Sequence, residues 1–339
     1  MTPEPGRSRR LRQLAGTTTT VTPPPAISTP RLCGMPPPPQ FRYRPIRDGD
    51  LPAAIHLIEQ DRILYRPQTW SRILDLLRQL LQRARLRGMV VEEIGSGRLR
   101  FVGLSGFVLL ESLGPVIQGH LSLQELVIEG RCLLPPSRVA KANAARNLDL
   151  VALCGCHDLV GLAEPEVYGV HRAAYDAFTS CHRGYGLRAI WQETAVPQII
   201  VVLQGLGMTV VRKRLGGRSY LMRYTAEQAD TDPTAALAIF VKFPPPSLRL
   251  TKQQQQFLEL ALLDFADREI EEWLGLSDDA LKKRWRSAYA RVRRSQPDLL
   301  PEGLPGADQR RVLLGYLRQH TEELRPTTRT LIYPGGGNR

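Results

Sequence analysis

Between Lys282 and Arg294 the chain carries Lys282, Lys283, Arg284, Arg286, Arg291, Arg293 and Arg294 and no acidic residue. Cationic groups at that density suit a polyphosphate, because each counterion released on contact favours the complex. Helical periodicity sorts the stretch into faces. Leu281, Trp285, Ala288 and Val292 share one side, Lys282, Lys283 and Arg286 the other, and Arg284 lies at the border. A helix with an apolar inner side and a cationic outer side suits the DNA major groove. The competing account is a basic face that is merely solvated, the commoner fate of a charge run.

A second set of reactive residues is Cys154, Cys156 and His157, with Cys181 and His182 further on. Cys-x-Cys on a strand puts both sulfurs on one face. Closed zinc sites more often draw on closely spaced cysteine pairs in turns, and buried cysteine is ordinary core material. The expectation is no metal and no cofactor. No Ser–His–Asp or paired-carboxylate set is identifiable, since such residues meet only in space. No catalytic residue is assigned, and an enzyme is the less favoured class.

The basic stretch needs elements to hold it. Phe257, Leu258, Ala261 and Leu262 line one side of a first helix, and Asp267 is the candidate cap of a second, with Ile270, Trp273 and Leu274 facing inward. Gly275 can adopt the left-handed conformation that ends a helix. Ser277 then caps the third, where Asp278 and Asp279 favour the positive helix end. One more amphipathic helix is expected over Arg310 to Arg318.

The segment Leu250–Val292 resembles the LuxR-type helix-turn-helix. Leu250-Thr251 matches the Leu-Thr that opens the family's scaffold helix, Glu269-Ile270 its Glu-Ile, and Leu281-Lys282 the Val-Lys of its recognition helix. The resemblance implies a DNA-binding transcriptional regulator that contacts double-stranded DNA through Arg268, Ser277, Lys282, Lys283, Arg284, Arg286 and Arg291. Palindromic sites read by such modules imply a homodimer. The departures are Gln254 in place of an acidic residue, Asp264 in place of a loop glycine and Arg284 in place of a frequent histidine. Asp264 and Asp267 are expected to put negative charge near the DNA-facing turn.

Upstream, residues 1–40 form a Pro/Thr-rich tail expected to be disordered. An α/β domain is expected over 41–228, a linker over 229–247, the helical domain over 248–325 and a flexible tail over 326–339. Within 41–228 the pattern predicts strands at Phe41–Arg44, Met89–Ile94, Leu99–Leu110, Leu148–Leu153, Leu187–Glu193, Thr209–Leu215 and Ser219–Tyr224. Helices are predicted after Asp48–Asp50, over Trp70–Leu81, Val167–Phe178 and Pro197–Leu206, and hairpin turns at Gly95-Ser96-Gly97 and Gly216-Gly217.

That order, with Arg44 to Leu51 and Val201 to Met208, resembles the GNAT acetyltransferase fold, a mixed sheet with helices. The family places a Gln/Arg-x-x-Gly-x-Gly/Ala loop at a helix N-terminus to bind the coenzyme A pyrophosphate. After the fourth strand this chain offers Gly155 to Gly161 and then Glu164 and Glu166, whose charge repels a pyrophosphate. His182 to Leu187 has the glycine spacing but ends a helix. The expectation is a catalytically inert relative whose 41–228 domain leaves room for a small-molecule or protein ligand. The alternative is an acyl-CoA-dependent transferase delivered to DNA by its C-terminal helices.

Bulk properties agree with this division. Among 339 residues, 46 Lys and Arg oppose 33 Asp and Glu, a net charge of +13 that favours a polyanionic partner. Five cysteines do not form a disulfide framework, which points to a reducing cytoplasm. The two most apolar runs, Phe101–Ile117 and Ala195–Val211, carry charged or breaking residues and fall short of the roughly 20 residues a membrane span needs.

Overall fold

Near-continuous apolar runs in Leu86–Glu93 and Leu99–Val108 found a sheet that the rest of the first domain extends. A computed structural model describes residues 40–60, 70–128, 132–214, 219–231 and 239–326. Nearly all of the two expected tails, the turn at Gly216-Gly217 and the middle of the expected linker, residues 232–238, lie outside these residues. The strands are β1 (Phe41–Pro45), β2 (Leu86–Glu93), β3 (Leu99–Val108), β4 (Leu148–His157), β5 (Leu187–Thr194), β6 (Thr209–Arg214) and β7 (Ser219–Thr225). They form one seven-stranded sheet in the order β1-β2-β3-β4-β5-β7-β6. Every neighbouring pair is antiparallel except β4 and β5.

Helices cover both faces of this mixed sheet. The first is α1 (Leu51–Gln60), entered through a short 3-10 turn at Asp48–Asp50, and the second is α2 (Trp70–Gln82). Their Ala54, Ile58, Ile73 and Leu77 pack with Val90, Val102 and Val151. The connection from β3 to β4 holds three short helices that periodicity did not predict, α3 (Gly114–Gln118), α4 (Leu123–Ile128) and α5 (Pro136–Ala144). On the other face α6 (Glu164–His182) lies against β1, β2 and β3, with Val170, Ala173 and Ala174 meeting Val91 and Phe101. The domain is completed by α7 (Pro197–Gly205) and α8 (Ala226–Thr231). Ile239 and Phe240, expected in the linker, are buried beside Tyr224 and Met222.

The C-terminal elements are all helical: α9 (Lys252–Leu262), α10 (Asp267–Leu274), α11 (Asp278–Ser295), α12 (Gly306–Gln319) and a 3-10 turn at Thr321–Leu324. Phe257, Ile270, Leu281, Trp285, Val292, Leu313 and Leu317 form their common core. The Thr251 hydroxyl accepts from the Gln254 N–H at 3.2 Å while the Gln254 side chain accepts from the Thr251 N–H at 2.9 Å, so Gln254 serves the reciprocal cap that an acid would otherwise make. Ser277 caps α11 by accepting from the Ala280 N–H, and Gly275 ends α10 at φ 62°. Asp264 stands at φ 59°, the left-handed region, where a short polar side chain is tolerated.

One expectation is corrected. The residue before α10 is Ala266, with Asp267 already inside the helix, and Glu269 accepts the Ala266 N–H at 2.9 Å. Trp273 is half-buried and packs against the helical core, its ring meeting Phe265 edge-on. It also receives the Arg47 guanidinium at 3.9 Å from its centroid, so its outer side meets the sheet domain.

Trp285 meets Phe257 edge-on at 4.9 Å between centroids and is 6% exposed. Replacing it (Trp285→Ala) is expected to cost about 3–5 kcal/mol. Thermal unfolding should show a midpoint lowered by about 6–20 °C, given roughly 2–4 °C per kcal/mol at this size.

Candidate functional site

On α11 the faces sort as periodicity requires. Leu281, Trp285, Ala288 and Val292 are buried, while Lys282, Lys283 and Arg286 are exposed on the opposite side and Arg284 is half-buried between them. Lys282 donates to Asp278 at 2.6 Å, and that hydrogen bond holds its pKa above the usual lysine value. Arg268 pairs with Glu272 at 3.5 Å within α10. Arg291 is turned back, donating to the Arg249 carbonyl at 2.9 Å. The structure therefore groups Lys282, Lys283 and Arg286 on one outward face, with Ser277 at its start.

The acidic residues near the turn are engaged by α12. Arg318 pairs with Asp264 at 2.9 Å and Arg310 with Asp267 at 2.8 Å. Their charge is thus locally balanced. The sequence showed the basic helix over Arg310 to Arg318, but not that it would fold back onto this turn.

The sheet carries a second feature. The parallel pairing of β4 and β5 ends at Ala152 and Gln192, yet β4 continues to His157 and β5 to Thr194. Where the strands part, a cavity of about 250 Å³ opens, lined by Phe101, Phe178, Ile190, Leu203 and Met208 with Cys154 among them. His182 also lines it and is fixed from both sides. Its Nδ1–H donates to the Phe178 carbonyl at 2.7 Å, leaving Nε2 to accept from the Ser105 hydroxyl at 2.8 Å. Burial, helped by Arg87, lowers its pKa to about 3.

Gly155, Cys156 and His157, expected in the loop after the fourth strand, are still part of β4. The loop itself runs from Asp158 to Ala163, with Gly161 at φ 78°, and ends at the α6 N-terminus. Carboxylates of the chain occupy it. Glu166 accepts the Ala163 N–H at 2.7 Å, and Asp158 accepts the Val160 N–H at 3.3 Å while binding Arg98 at 2.5 Å. The His157 ring packs between Phe101 and His171, at 4.9 and 5.0 Å, and burial lowers its pKa to about 4. Among the described residues no group of three or more His, Cys, Asp or Glu is placed to hold a metal ion, and no helix is long and apolar enough to cross a membrane.

No family model and no curated protein matches this sequence. Solved structures do. One similar chain is the spermidine/spermine N-acetyltransferase SpeG from Vibrio cholerae, in mutant forms, at 12% identity and TM-score 0.34, covering 57% of this chain and 98% of that one. Another is NAA60 from Arabidopsis thaliana in complex with acetyl-CoA, at 12% identity and TM-score 0.35, covering 55% and 98%. A third, described as histone acetyltransferase HPA2 and related acetyltransferase from Corynebacterium glutamicum, is 14% identical with TM-score 0.33, covering 54% and 95%. The mixed sheet with its single parallel pair is consistent with the GNAT-like domain that the order of elements resembled.

His182 is neutral in the fold and takes up a proton below about pH 6.5 when unfolded, so its contribution to stability is present above that pH and is lost as pH falls toward 3. Urea unfolding between pH 6.5 and 5 should lose stability at a limiting rate of about 1.4 kcal/mol per pH unit from this residue. His182→Asn should flatten that part of the curve.

Proposed function

We propose that the protein is a DNA-binding transcriptional regulator in which α10 and α11 act as a helix-turn-helix and α11 enters the major groove. The observation that carries this reading is the single outward face formed by Lys282, Lys283 and Arg286 on a helix whose opposite side is buried. Ser277 at the helix start and Arg268 on the preceding helix flank that face, and Arg284 borders it. The partner is double-stranded DNA, and the Asp278 carboxylate on Lys282 is readily exchanged for phosphate because the pair is solvent-exposed. Reading of palindromic sites would make the working form a homodimer.

Anisotropy titration of the full chain with a short duplex tests this. Changing Lys282, Lys283 and Arg286 together to Ala should reduce affinity at least tenfold with an unchanged circular dichroism spectrum. It should also flatten the dependence of log K on log salt by about 2.7, for three phosphate contacts. Absence of binding at about 50 mM salt, where the electrostatic contribution is large, or an unaffected triple variant, would sink the proposal.

A second reading is an acyl-CoA-dependent acyltransferase brought to DNA by its helical domain, and it is the reading to which the GNAT-like sheet belongs. It is favoured by the apolar cavity where β4 and β5 part. Against it stand Glu166 and Asp158, which already take amides of the loop that would meet a pyrophosphate. Calorimetric titration with acetyl-CoA separates the two. We expect no saturable heat; a saturable signal that Glu166→Gln strengthens would restore the transferase.

A further inference from the structure

At the C-terminal end of α6 the sheet domain and the helical domain enclose another cavity, of about 650 Å³. Ile46, Leu86, Met89 and Leu262 give it an apolar wall. Its charged lining is unbalanced: Arg87, Arg183, Arg318 and Arg325 against Glu259 and Asp264. Both carboxylates are taken, Glu259 by Arg325 at 2.7 Å and Asp264 by Arg318 at 2.9 Å.

Arg87 and Arg183 have no carboxylate partner among the described residues. Arg87 donates to the Cys181 carbonyl at 3.3 Å and to the Tyr185 hydroxyl. It is half-buried, and the surface it keeps borders the cavity. Arg183 lies over the Phe243 ring at 5.5 Å, and its Nε is buried with no hydrogen-bond partner. The hydroxyls of Thr179 and Thr321, two further lining residues, are buried and equally without a partner. The carbonyl end of α6 offsets about half a unit charge of this excess. That is too little for two half-buried guanidinium groups.

We propose that this cavity binds a small organic carboxylate, its charged end received by Arg87 and Arg183 and its apolar body laid along Ile46, Leu86, Met89 and Leu262. A guanidinium fork matches a carboxylate with paired donors. The apolar wall selects an aliphatic or aromatic acid over a bare inorganic anion. The site is separate from the cavity between β4 and β5, and the inference does not depend on DNA binding. It does bear on the fold as a whole, because the lining comes from both domains.

Octanoate serves as probe against the full chain, with octanol and inorganic phosphate alongside. Binding at millimolar concentration, the order expected of so small a ligand, should raise the melting temperature with the logarithm of concentration above Kd, by about 3–6 °C at ten times Kd. Octanol should leave the melting temperature unchanged. The Arg183 side chain makes no hydrogen bond to another described residue and its Nε is unpartnered, so Arg183→Met should fold and should weaken the octanoate response at least tenfold. Arg87→Met should weaken it too, with a lower starting midpoint because the Cys181 carbonyl loses its donor. No response to octanoate up to about 20 mM, an equal response to octanol, or an undiminished response in Arg183→Met overturns the proposal. A response to phosphate without one to octanoate overturns the assignment of a carboxylate.

Discussion

Arg325 is the residue on which the relation between the two domains turns. It is 3% exposed, and its guanidinium makes three contacts at once, two at the end of α6 and one on α9. Nε donates to the Arg183 carbonyl at 2.8 Å, Nη2 to the Ser180 carbonyl at 2.8 Å and Nη1 to Glu259 of α9 at 2.7 Å. A cation at the carbonyl end of α6 meets the negative pole of that helix, and Glu259 completes its neutralisation. The same group lies 5.0 Å over the Tyr185 ring, which Arg87 also approaches at 5.0 Å. Glycine at position 184 makes the close approach feasible: φ is 89°, and a Cβ there would stand 2.7 Å from the backbone of Thr321 and Glu322. Geometry and charge both require the two backbones to meet at this point.

A second contact, on α10, fixes the orientation. Arg42 bridges Glu92 of the sheet and Glu269 of α10 at 2.9 and 2.8 Å, while Arg47 stacks on Trp273. Held at α9 and α10, the helical domain presents α11 with its basic face away from its own core. An anchored scaffold with an open outer helix leaves little domain motion at α11, while the exposed Lys282, Lys283 and Arg286 side chains keep their rotamer freedom.

Long, strongly periodic elements were legible in the sequence. The α11 face and the principal strands follow from spacing alone, as do the caps at Gly275 and Ser277. The helices α3, α4 and α5 were not legible, because Gly114–Gln118 and Leu123–Ile128 are too short to establish a period and sit within apolar surroundings. The second role of Trp273, as the seat of Arg47, was hidden for a different reason: an aromatic residue on an amphipathic helix looks the same whether it only fills its own core or also meets another domain. The pairing of Asp264 with Arg318 and the placement of Arg183 over Phe243, without a carboxylate among the described residues, arise from long-range placement, for which local pattern holds no signal.

The segment that locks the domains together, Thr321 to Arg325, follows every strand and helix of both cores in the chain. As the polypeptide emerges from the ribosome, the sheet core, complete by Phe240, can therefore collapse before the joining arginine exists. Domains generally fold as units in that order. The helical core needs Leu324 of the joining segment itself, so its completion and its attachment to a sheet already formed belong to one late step.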